Sequence, residues 1–187
     1  GGKALMMGAL MGSKGRIYAF DVSERRLNRL KPRLKRSGLS NLFPRWISNE
    51  NDVKVKRLAG KVDRVIVDAP CSGLGTLRRN PDIKLRQTPE SIEEAKRDQE
   101  AILVSAAKLL KPGGRLVYAT CSFLPEENQE IIENFLAAHT KFTLLNCAEL
   151  FMQQKIPLDT GMFLQLYPDE HNTDSFFAAA LMLARND

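Results

Sequence analysis

Apolar residues along the chain follow two alternating periods, one typical of buried strands and the other of amphipathic helices. Runs rich in β-branched and aromatic residues predict strands at 16–22, 43–48, 62–68, 115–121, 142–146 and 175–183. Helical spacing and helix-start signals predict helices over 24–37, 88–110 and 125–138, with a short buried helix over 3–11. Strands that alternate with helices are typical of a parallel, doubly wound α/β sheet with helices on both faces. No stretch has the composition of a linker, so we predict one domain over residues 1–187.

The helix over 24–37 has well-marked boundaries in the sequence. Ser23 is a favourable N-cap, and Gly38 is the residue type that commonly ends a helix. Pro32 lies inside the predicted span, where it removes a backbone donor. We therefore expect either a kink at this proline or a shorter helix.

Composition narrows the class of protein. The chain has 187 residues, of which 43% are hydrophobic and 27% charged, as in ordinary globular domains. No apolar run approaches the roughly 20 residues that span a bilayer, and no signal peptide is recognisable. Three cysteines do not form a disulfide framework, which favours a reducing, cytoplasmic setting. The two histidines are far apart and no CxxC pair occurs, so we expect no metal site. Because no apolar run is long enough to span a bilayer, we also expect no membrane partner.

Charge is distributed unevenly along the chain. The formal net charge is +6, but residues 1–86 contain 20 Lys and Arg against 7 Asp and Glu, and residues 87–187 contain 8 against 15. A basic half beside an acidic half indicates a surface that faces a polyanion. Charged helix faces that only contact water are the alternative explanation.

An acidic residue ends the predicted strand at 16–22. Asp21 stands where, in nucleotide-binding sheets, a carboxylate accepts hydrogen bonds from both ribose hydroxyls of an adenosine cofactor. The same side chain, or that of Ser23, is equally suited to cap the following helix.

Two cysteines follow the ends of two other strands. Asp68 and Cys71 come after the strand at 62–68, and Cys121 ends the strand at 115–121. Adjacent strands of a doubly wound sheet place their carboxyl ends along one crevice, so we expect these three side chains to converge. A Cys71–Cys121 disulfide is the alternative, which a reducing setting disfavours. Cys147 lies in an ordinary stretch, and we expect it to pack in the core.

Three longer motifs resemble those of the Nop/Sun family of RNA cytosine-C5 methyltransferases. They are DAPCSGLGTLRRNPDIK at 68–84, KPGGRLVYATCS at 111–122 and EEN at 126–128. Within the family, the chain is most similar to bacterial enzymes that act on small-subunit ribosomal RNA. The resemblance covers nearly the whole chain, and Leu85 departs from the Trp expected after the first motif.

The resemblance implies a fold, a cofactor and a reaction. The fold is the Rossmann-like sheet of S-adenosylmethionine-dependent methyltransferases, with its last strand antiparallel. Cys121 is then the nucleophile that adds to cytosine C6, Cys71 assists release of the product, and Asp68 holds the N3/N4 edge of the base and also borders the cofactor. An analogy with DNA methylation would instead make Cys71 the nucleophile. The target base must leave its stack to reach the thiols.

The resemblance also assigns residues near the start of the chain. Gly1 and Gly2 resemble the end of a glycine-rich cofactor loop, and Lys3 resembles a lysine near the target base. The strand that precedes this loop in the family has no counterpart, so we expect a C-terminal catalytic fragment of a longer enzyme. Asn49 is the expected neighbour of the adenine, with Glu50 and Asp52 as alternatives.

The sequence therefore predicts a cytoplasmic RNA 5-methylcytosine methyltransferase that uses S-adenosylmethionine, with ribosomal RNA as substrate. Two alternatives stay open. One is a transfer RNA cytosine methyltransferase, since the family shares these motifs. The other is a catalytically incomplete RNA-binding fragment, in which basic residues beside the crevice contact phosphates. They are Arg78, Arg79, Lys84 and Arg86. The sequence does not predict the oligomeric state or the group that activates the thiolate.

Overall fold

The computed structural model describes residues 1–185 and divides the chain into two compact units, Gly1–Arg57 and the residues from Leu58 onward. Each unit has its own sheet. The expectation of a single domain stays a prediction. Within residues 1–185, no helix combines the length and apolar character needed to cross a membrane.

The first unit pairs two parallel strands with three helices. In chain order they are α1 (Gly2–Leu10), β1 (Ile17–Asp21), α2 (Glu24–Ser37), β2 (Leu42–Trp46) and α3 (Val53–Lys56). Asp21 pairs with Trp46 at the carboxyl end of the two strands. The buried apolar side chains of this unit come from α2, β2, α3 and the residue after β2: Leu27, Leu30, Leu42, Ile47 and Val55. The polar side chain of Asn41, which precedes β2, is buried as well.

Two expectations about these helices need correction. The predicted buried helix is α1, but Gly8 is its only buried residue, and Leu10 is 80% exposed. Helix α2 is not shortened by Pro32, because it keeps the predicted span Glu24–Ser37 with the proline inside it. A kink at Pro32 stays a prediction. The Ser23 side chain accepts a hydrogen bond from the Arg26 amide, and Gly38 ends the helix in the left-handed conformation.

The second unit contains the larger sheet and five helices. Its elements are β3 (Val62–Asp68), α4 (Ile83–Arg86), α5 (Pro89–Ala107), β4 (Leu110–Thr120), α6 (Gln129–Ala138), β5 (Phe142–Leu145), α7 (Cys147–Gln153), β6 (Leu164–Leu166), α8 (Pro168–His171) and β7 (Phe176–Leu183). The strands lie in the order β3-β4-β7-β5, and β6 also pairs with β7. β3 and β4 are parallel, whereas β7 is antiparallel to each of its neighbours. The antiparallel last strand is therefore confirmed.

The core of this unit lies where β4 and β7 pack against α5 and α6. Leu103, Leu116 and Leu181 are fully buried, and Leu116 pairs with Leu181 across the sheet. Burying one such side chain contributes about 1.5–3 kcal/mol relative to leaving it exposed. This core fixes the carboxyl ends of β3 and β4, where the candidate site lies.

Several element boundaries differ from those expected. α5 ends at Ala107, because Leu110 already pairs with Val62 as the start of β4. α6 begins at Gln129, because residues 125–127 form a 3₁₀ turn. Between residues 147 and 174, where the sequence pattern predicts no helix or strand, the structure has α7, β6 and α8. Cys147 is buried, as expected.

Candidate active site

The ends of β3 and β4 bring the two cysteine motifs together. Asp68, the last residue of β3, pairs with Ala119 of β4, and the Ala69 amide donates to the Ala119 carbonyl at 2.9 Å. Cys121 directly follows β4 and Cys71 follows β3 by three residues. The Asp68 side chain is exposed at this edge. The strand pairing thus places all three residues at one edge of the sheet.

The two thiols are in direct contact. The sulfur atoms of Cys71 and Cys121 lie 3.3 Å apart, and both residues are free, half-buried cysteines. The hydrogen bond with the Cys121 thiol, together with burial, raises the pKa of Cys71 well above its ordinary value. Two thiolates at this distance would repel each other, so the pair gives up one proton far more readily than two. A protonated Cys71 can then donate its S–H to the Cys121 sulfur.

A fully buried carboxylate holds the Cys71 loop from beneath. Glu127 accepts hydrogen bonds from the Ser72 amide at 2.7 Å and the Ser72 hydroxyl at 2.5 Å. It also accepts one from the Gln99 side-chain amide at 3.1 Å, while Gln99 donates to the Pro70 carbonyl at 2.9 Å. The Tyr118 hydroxyl donates to the Glu127 carbonyl at 2.7 Å. A buried charge is tolerated when it is satisfied by several donors, as Glu127 is here.

The Cys121 loop is held by Asn128, the residue that follows Glu127 in the sequence. The Asn128 side chain accepts from the Thr120 hydroxyl at 2.5 Å and donates to the Ser122 carbonyl at 3.0 Å. The hydroxyls of Ser72 and Ser122 lie 3.3 Å apart. One buried polar network, which we call the loop network, therefore connects both cysteine loops. Its members are Ser72, Gln99, Thr120, Ser122, Glu127 and Asn128.

Sequence reasoning missed the loop network as a functional feature. In the sequence, Glu127 and Asn128 stand out only as part of the family motif at 126–128. An acidic residue after Pro125 is otherwise ordinary at the start of a helix. One available signal was Gln99, which shares a helical stripe with Leu103 and Ala106. A polar residue on an apolar stripe requires a buried partner.

Gly75 allows the two cysteine loops and Ser175, the residue before β7, to come into close contact. A Cβ atom there would lie 2.6 Å from the Cys121 carbonyl oxygen and 2.7 Å from that of Ser175. The Gly75 amide donates to the Cys121 carbonyl, and the Ser175 amide donates to the Gly75 carbonyl, each at 2.9 Å. No residue with a side chain fits this position without a shift of the backbone.

All the residues expected near the cofactor except Asp68 lie in the first unit. Asp21 Oδ1 accepts from the Ser23 amide at 2.8 Å and from Arg26 Nε at 3.1 Å, so Asp21 supports the start of α2. Both bonds use Oδ1, and the side chain is 25% exposed, so Oδ2 can accept from a ribose hydroxyl. The capping role and the cofactor role are therefore compatible.

The other expected cofactor residues of the first unit differ in the room that they leave for a ligand. Gly1 precedes α1, and a Cβ atom on it would lie 2.5 Å from a Leu30 methyl group, whereas the Cβ direction of Gly2 is open. Lys3 lies exposed in the first turn of α1. Asn49 is exposed near the carboxyl end of β2, and its side-chain oxygen accepts from the Asn51 amide at 2.8 Å.

Glu50 and Asp52 were the alternatives to Asn49. Asp52 accepts from the Ser48 amide at 2.9 Å and the Lys54 amide at 2.8 Å, and these bonds lower the pKa of its carboxyl group. Asp52 is therefore occupied as the cap of α3. Glu50 accepts from the Asn51 side chain at 2.5 Å. Asn49 stays the preferred prediction.

The α/β fold of the chain is that of the Rossmann-like S-adenosylmethionine-dependent methyltransferases. The model of a family described as 16S rRNA methyltransferase RsmB/F matches residues 1–182, and the chain belongs to this family. The resemblance to Nop/Sun enzymes, and to their small-subunit ribosomal RNA members, is thereby confirmed.

Individual relatives agree with this assignment. The chain is 40% identical over 184 residues to the probable ribosomal RNA small subunit methyltransferase B of Synechocystis sp., covering 98% of this chain and 41% of the relative. The crystal structure of PH0851 superposes with a TM-score of 0.86 at 37% identity, covering 97% of this chain and 40% of that one. NSun6 from Pyrococcus horikoshii with SFG, an S-adenosylmethionine analogue, gives 0.83 at 30% identity, covering 100% and 46%. The chain thus spans about two fifths of the length of these relatives.

Proposed function

We propose that the protein transfers a methyl group from S-adenosylmethionine to C5 of a cytosine in RNA, with 16S ribosomal RNA as the substrate. The observation that carries the proposal is the 3.3 Å contact between the Cys71 and Cys121 thiols. These thiols lie at the edge of the sheet where β3 ends with Asp68. Two thiols at one edge suit a reaction in which one sulfur bonds to the base and the other assists its release. The names of the relatives, which are small-subunit ribosomal RNA methyltransferases, support the choice of RNA.

Cys121 is assigned as the nucleophile. Its sulfur adds to C6 of the cytosine, and the electrons of the C5–C6 double bond make C5 a carbon nucleophile. Cys71 supports this step because its raised pKa keeps it protonated, so that its S–H can stabilise a thiolate on Cys121. Asp68 holds the N3/N4 edge of the base. When the thiolate bonds to C6, negative charge moves through the ring to N3, and a proton from the solvent neutralises it there.

The cofactor, when bound, supplies an electrophilic methyl group. Asp21 would hold its ribose, Gly1 and Gly2 would lie beside it, with only the Cβ direction of Gly2 open, Asn49 would contact the adenine, and Asp68 would border it. The open Cβ direction of Gly2 and the available Oδ2 of Asp21 fit this group. Lys3 is assigned a place near the target base.

Release of the product requires two changes at the base. The proton on C5 passes to water, its electron pair re-forms the C5–C6 double bond, and the bond between C6 and Cys121 breaks so that the sulfur departs as a thiolate. The proton on N3 then returns to the solvent. Cys71 is assigned to this release, because its sulfur is the group in contact with the departing Cys121 sulfur.

The test compares Cys121→Ser with Cys71→Ser. With RNA and S-adenosylmethionine present, Cys71→Ser should accumulate a protein–RNA adduct that survives denaturing gel electrophoresis, because attack and methyl transfer still occur. Cys121→Ser should give neither adduct nor product. Cys147→Ser is the control, since that buried thiol lies outside the site, and it should methylate RNA as the unchanged protein does. An adduct in Cys121→Ser and none in Cys71→Ser would reverse the assignment.

A calorimetric titration with S-adenosylmethionine separates this proposal from a non-catalytic RNA-binding role. Saturable binding that Asp21→Ala weakens supports the enzyme. RNA binding without any cofactor binding would contradict it.

A further inference from the structure

A cavity of about 290 Å³ opens beside the thiols in the second unit. Its walls are mainly apolar, with two aromatic rings and one guanidinium group among them. The side chains that form it include Leu74, Leu77, Arg78, Phe123, Tyr167 and Pro168. The mechanism above uses none of these residues.

The cavity and the reactive thiols are built from the same two loops. Leu74 follows Cys71 by three residues, and Phe123 follows Cys121 by two. Gly75, which also borders the cavity, donates its amide to the Cys121 carbonyl at 2.9 Å. A ligand in the cavity therefore contacts the same two loops that carry the thiols.

The exposure of Phe123 is unusual for its position. Its neighbour Ser122 is 1% exposed, yet the Phe123 ring remains 38% exposed at the cavity. Tyr167 contributes a second, half-buried ring. Exposed aromatic faces in RNA-binding proteins stack on unpaired bases, whichever base is present.

The charges beside these rings are of both signs: burial and the nearby carboxylates Glu170 and Asp169 raise the pKa of Tyr167, whereas Arg78 supplies a positive charge. Arg78 donates to the neutral Asn172 side chain at 3.0 Å, which orients the guanidinium without neutralising it. Arg79 differs, because it forms an ion pair with Asp174. The cavity thus combines stacking surfaces with an oriented positive charge.

We propose that this cavity binds the base of an unpaired nucleotide next to the target cytosine, with its ring against Phe123 and Tyr167 and its phosphate on Arg78. The inference rests on the proposed function for the identity of the ligand as RNA. It adds a binding site for a neighbouring nucleotide, which helps to hold the target base out of its stack.

The test uses RNA oligonucleotides in which each nucleotide beside the target cytosine is replaced in turn by an abasic one. Affinity is measured by fluorescence anisotropy at fixed salt and without cofactor. One abasic position should weaken binding by about 5- to 150-fold, the range of a single base–aromatic stack. In Phe123→Ala, the intact RNA should bind less tightly, and the same abasic position should have a smaller effect, because only the Tyr167 ring remains to stack on the base.

Two matched variants separate stacking from general damage. Phe123→Tyr keeps an aromatic face and should retain the abasic effect. Met152→Ala removes another exposed apolar side chain, 72% exposed and not part of the cavity wall, and should change nothing. If every abasic position is equally tolerated, or if Phe123→Ala retains the full position-dependent loss, the inference is wrong.

A parallel methylation assay distinguishes failure of the inference from failure of the proposed function. Methyl transfer without any abasic effect overturns the cavity proposal and leaves the function intact. A position-dependent abasic effect without methyl transfer supports the cavity and contradicts the function. An absence of RNA binding overturns both.

Discussion

Replacement of Glu127 tests whether the loop network holds the thiols in place. The carboxylate is fully buried and accepts three hydrogen bonds, two of them from Ser72 and one from Gln99. Glu127→Ala leaves the Ser72 amide and the Gln99 side chain without this acceptor. Glu127→Gln has the same shape, keeps one oxygen for both N–H groups and lets the Ser72 hydroxyl turn towards Ser122.

The magnitudes follow from the number of donors left without an acceptor. Each buried unsatisfied group costs about 1–3 kcal/mol, so two of them in Glu127→Ala lower the free energy of unfolding by about 2–6 kcal/mol, before the cavity is counted. Typical domains have only about 5–15 kcal/mol in total. Glu127→Gln replaces charge-assisted hydrogen bonds by neutral ones, which lowers the free energy of unfolding by about 1 kcal/mol per bond. Part of this loss is offset because the glutamine buries no charge. We expect a loss of about 1–2 kcal/mol.

The assay is urea denaturation together with the rate at which glutathione disulfide converts Cys71 and Cys121 into a disulfide in the native protein. One molecule of glutathione disulfide is reduced to two of glutathione for each disulfide formed. Because the two sulfurs lie 3.3 Å apart, the reaction should be fast in the unchanged protein and slower in Glu127→Gln. Glu126→Gln is the matched control, since it removes the same charge from a half-buried neighbour.

Two results would refute this reasoning. One is a free energy of unfolding for Glu127→Ala within 0.5 kcal/mol of that for Glu126→Ala, about the size of an ordinary surface substitution. The other is equal disulfide formation in Glu127→Gln and Glu126→Gln despite a loss of stability. In that case Glu127 would stabilise the unit without positioning the thiols.

Four further outcomes are expected. Asp21→Ala should weaken S-adenosylmethionine binding tenfold or more by calorimetry, because bonds to a charged acceptor are worth about 1.5–3 kcal/mol, and unchanged affinity would exclude the ribose role. Gly75→Ala should cost about 1–3 kcal/mol or more in urea denaturation, since its Cβ would lie 2.6 Å from a backbone carbonyl oxygen; a neutral result would disprove the close approach. Replacing Arg78 and Arg79 by Gln should flatten the slope of log affinity against log salt by about 0.7 per phosphate contact, mostly through Arg78, because Arg79 is already paired with an acid; lower affinity at an unchanged slope would assign them a structural role. Alkylation of Cys71 by iodoacetamide should need a pH above that of a free thiol, because a raised pKa delays formation of the thiolate as the pH increases, and a midpoint near 8.5 would contradict the pairing.

The elements that could be predicted are those whose pattern depends on local sequence. The apolar run at 62–68 becomes β3 over Val62–Asp68, and the cap signals around Ser23 and Gly38 bound α2. The alternation of strands and helices predicts that strand ends share one crevice, and the meeting of Cys71 with Cys121 follows from that. The strand order β3-β4-β7-β5 was not predicted. Short elements could not be found in this way. β6 has only three residues, and it is a strand because it pairs with β7, which no local pattern reveals.

The loop network escaped prediction for a related reason. Glu127 bonds to residues 55 and 28 positions earlier in the chain, and neither separation follows from a helical or strand period. The sequence indicates which side chains can react, because thiols and carboxylates at strand ends are recognisable by type. It does not indicate which polar side chains are buried beneath them. A reactive pair at 3.3 Å nevertheless needs both of its loops fixed, because small displacements of either loop would separate the sulfurs. A buried carboxylate that is satisfied only when the Cys71 loop is in place meets that need, because displacing the loop leaves a charge without its donors.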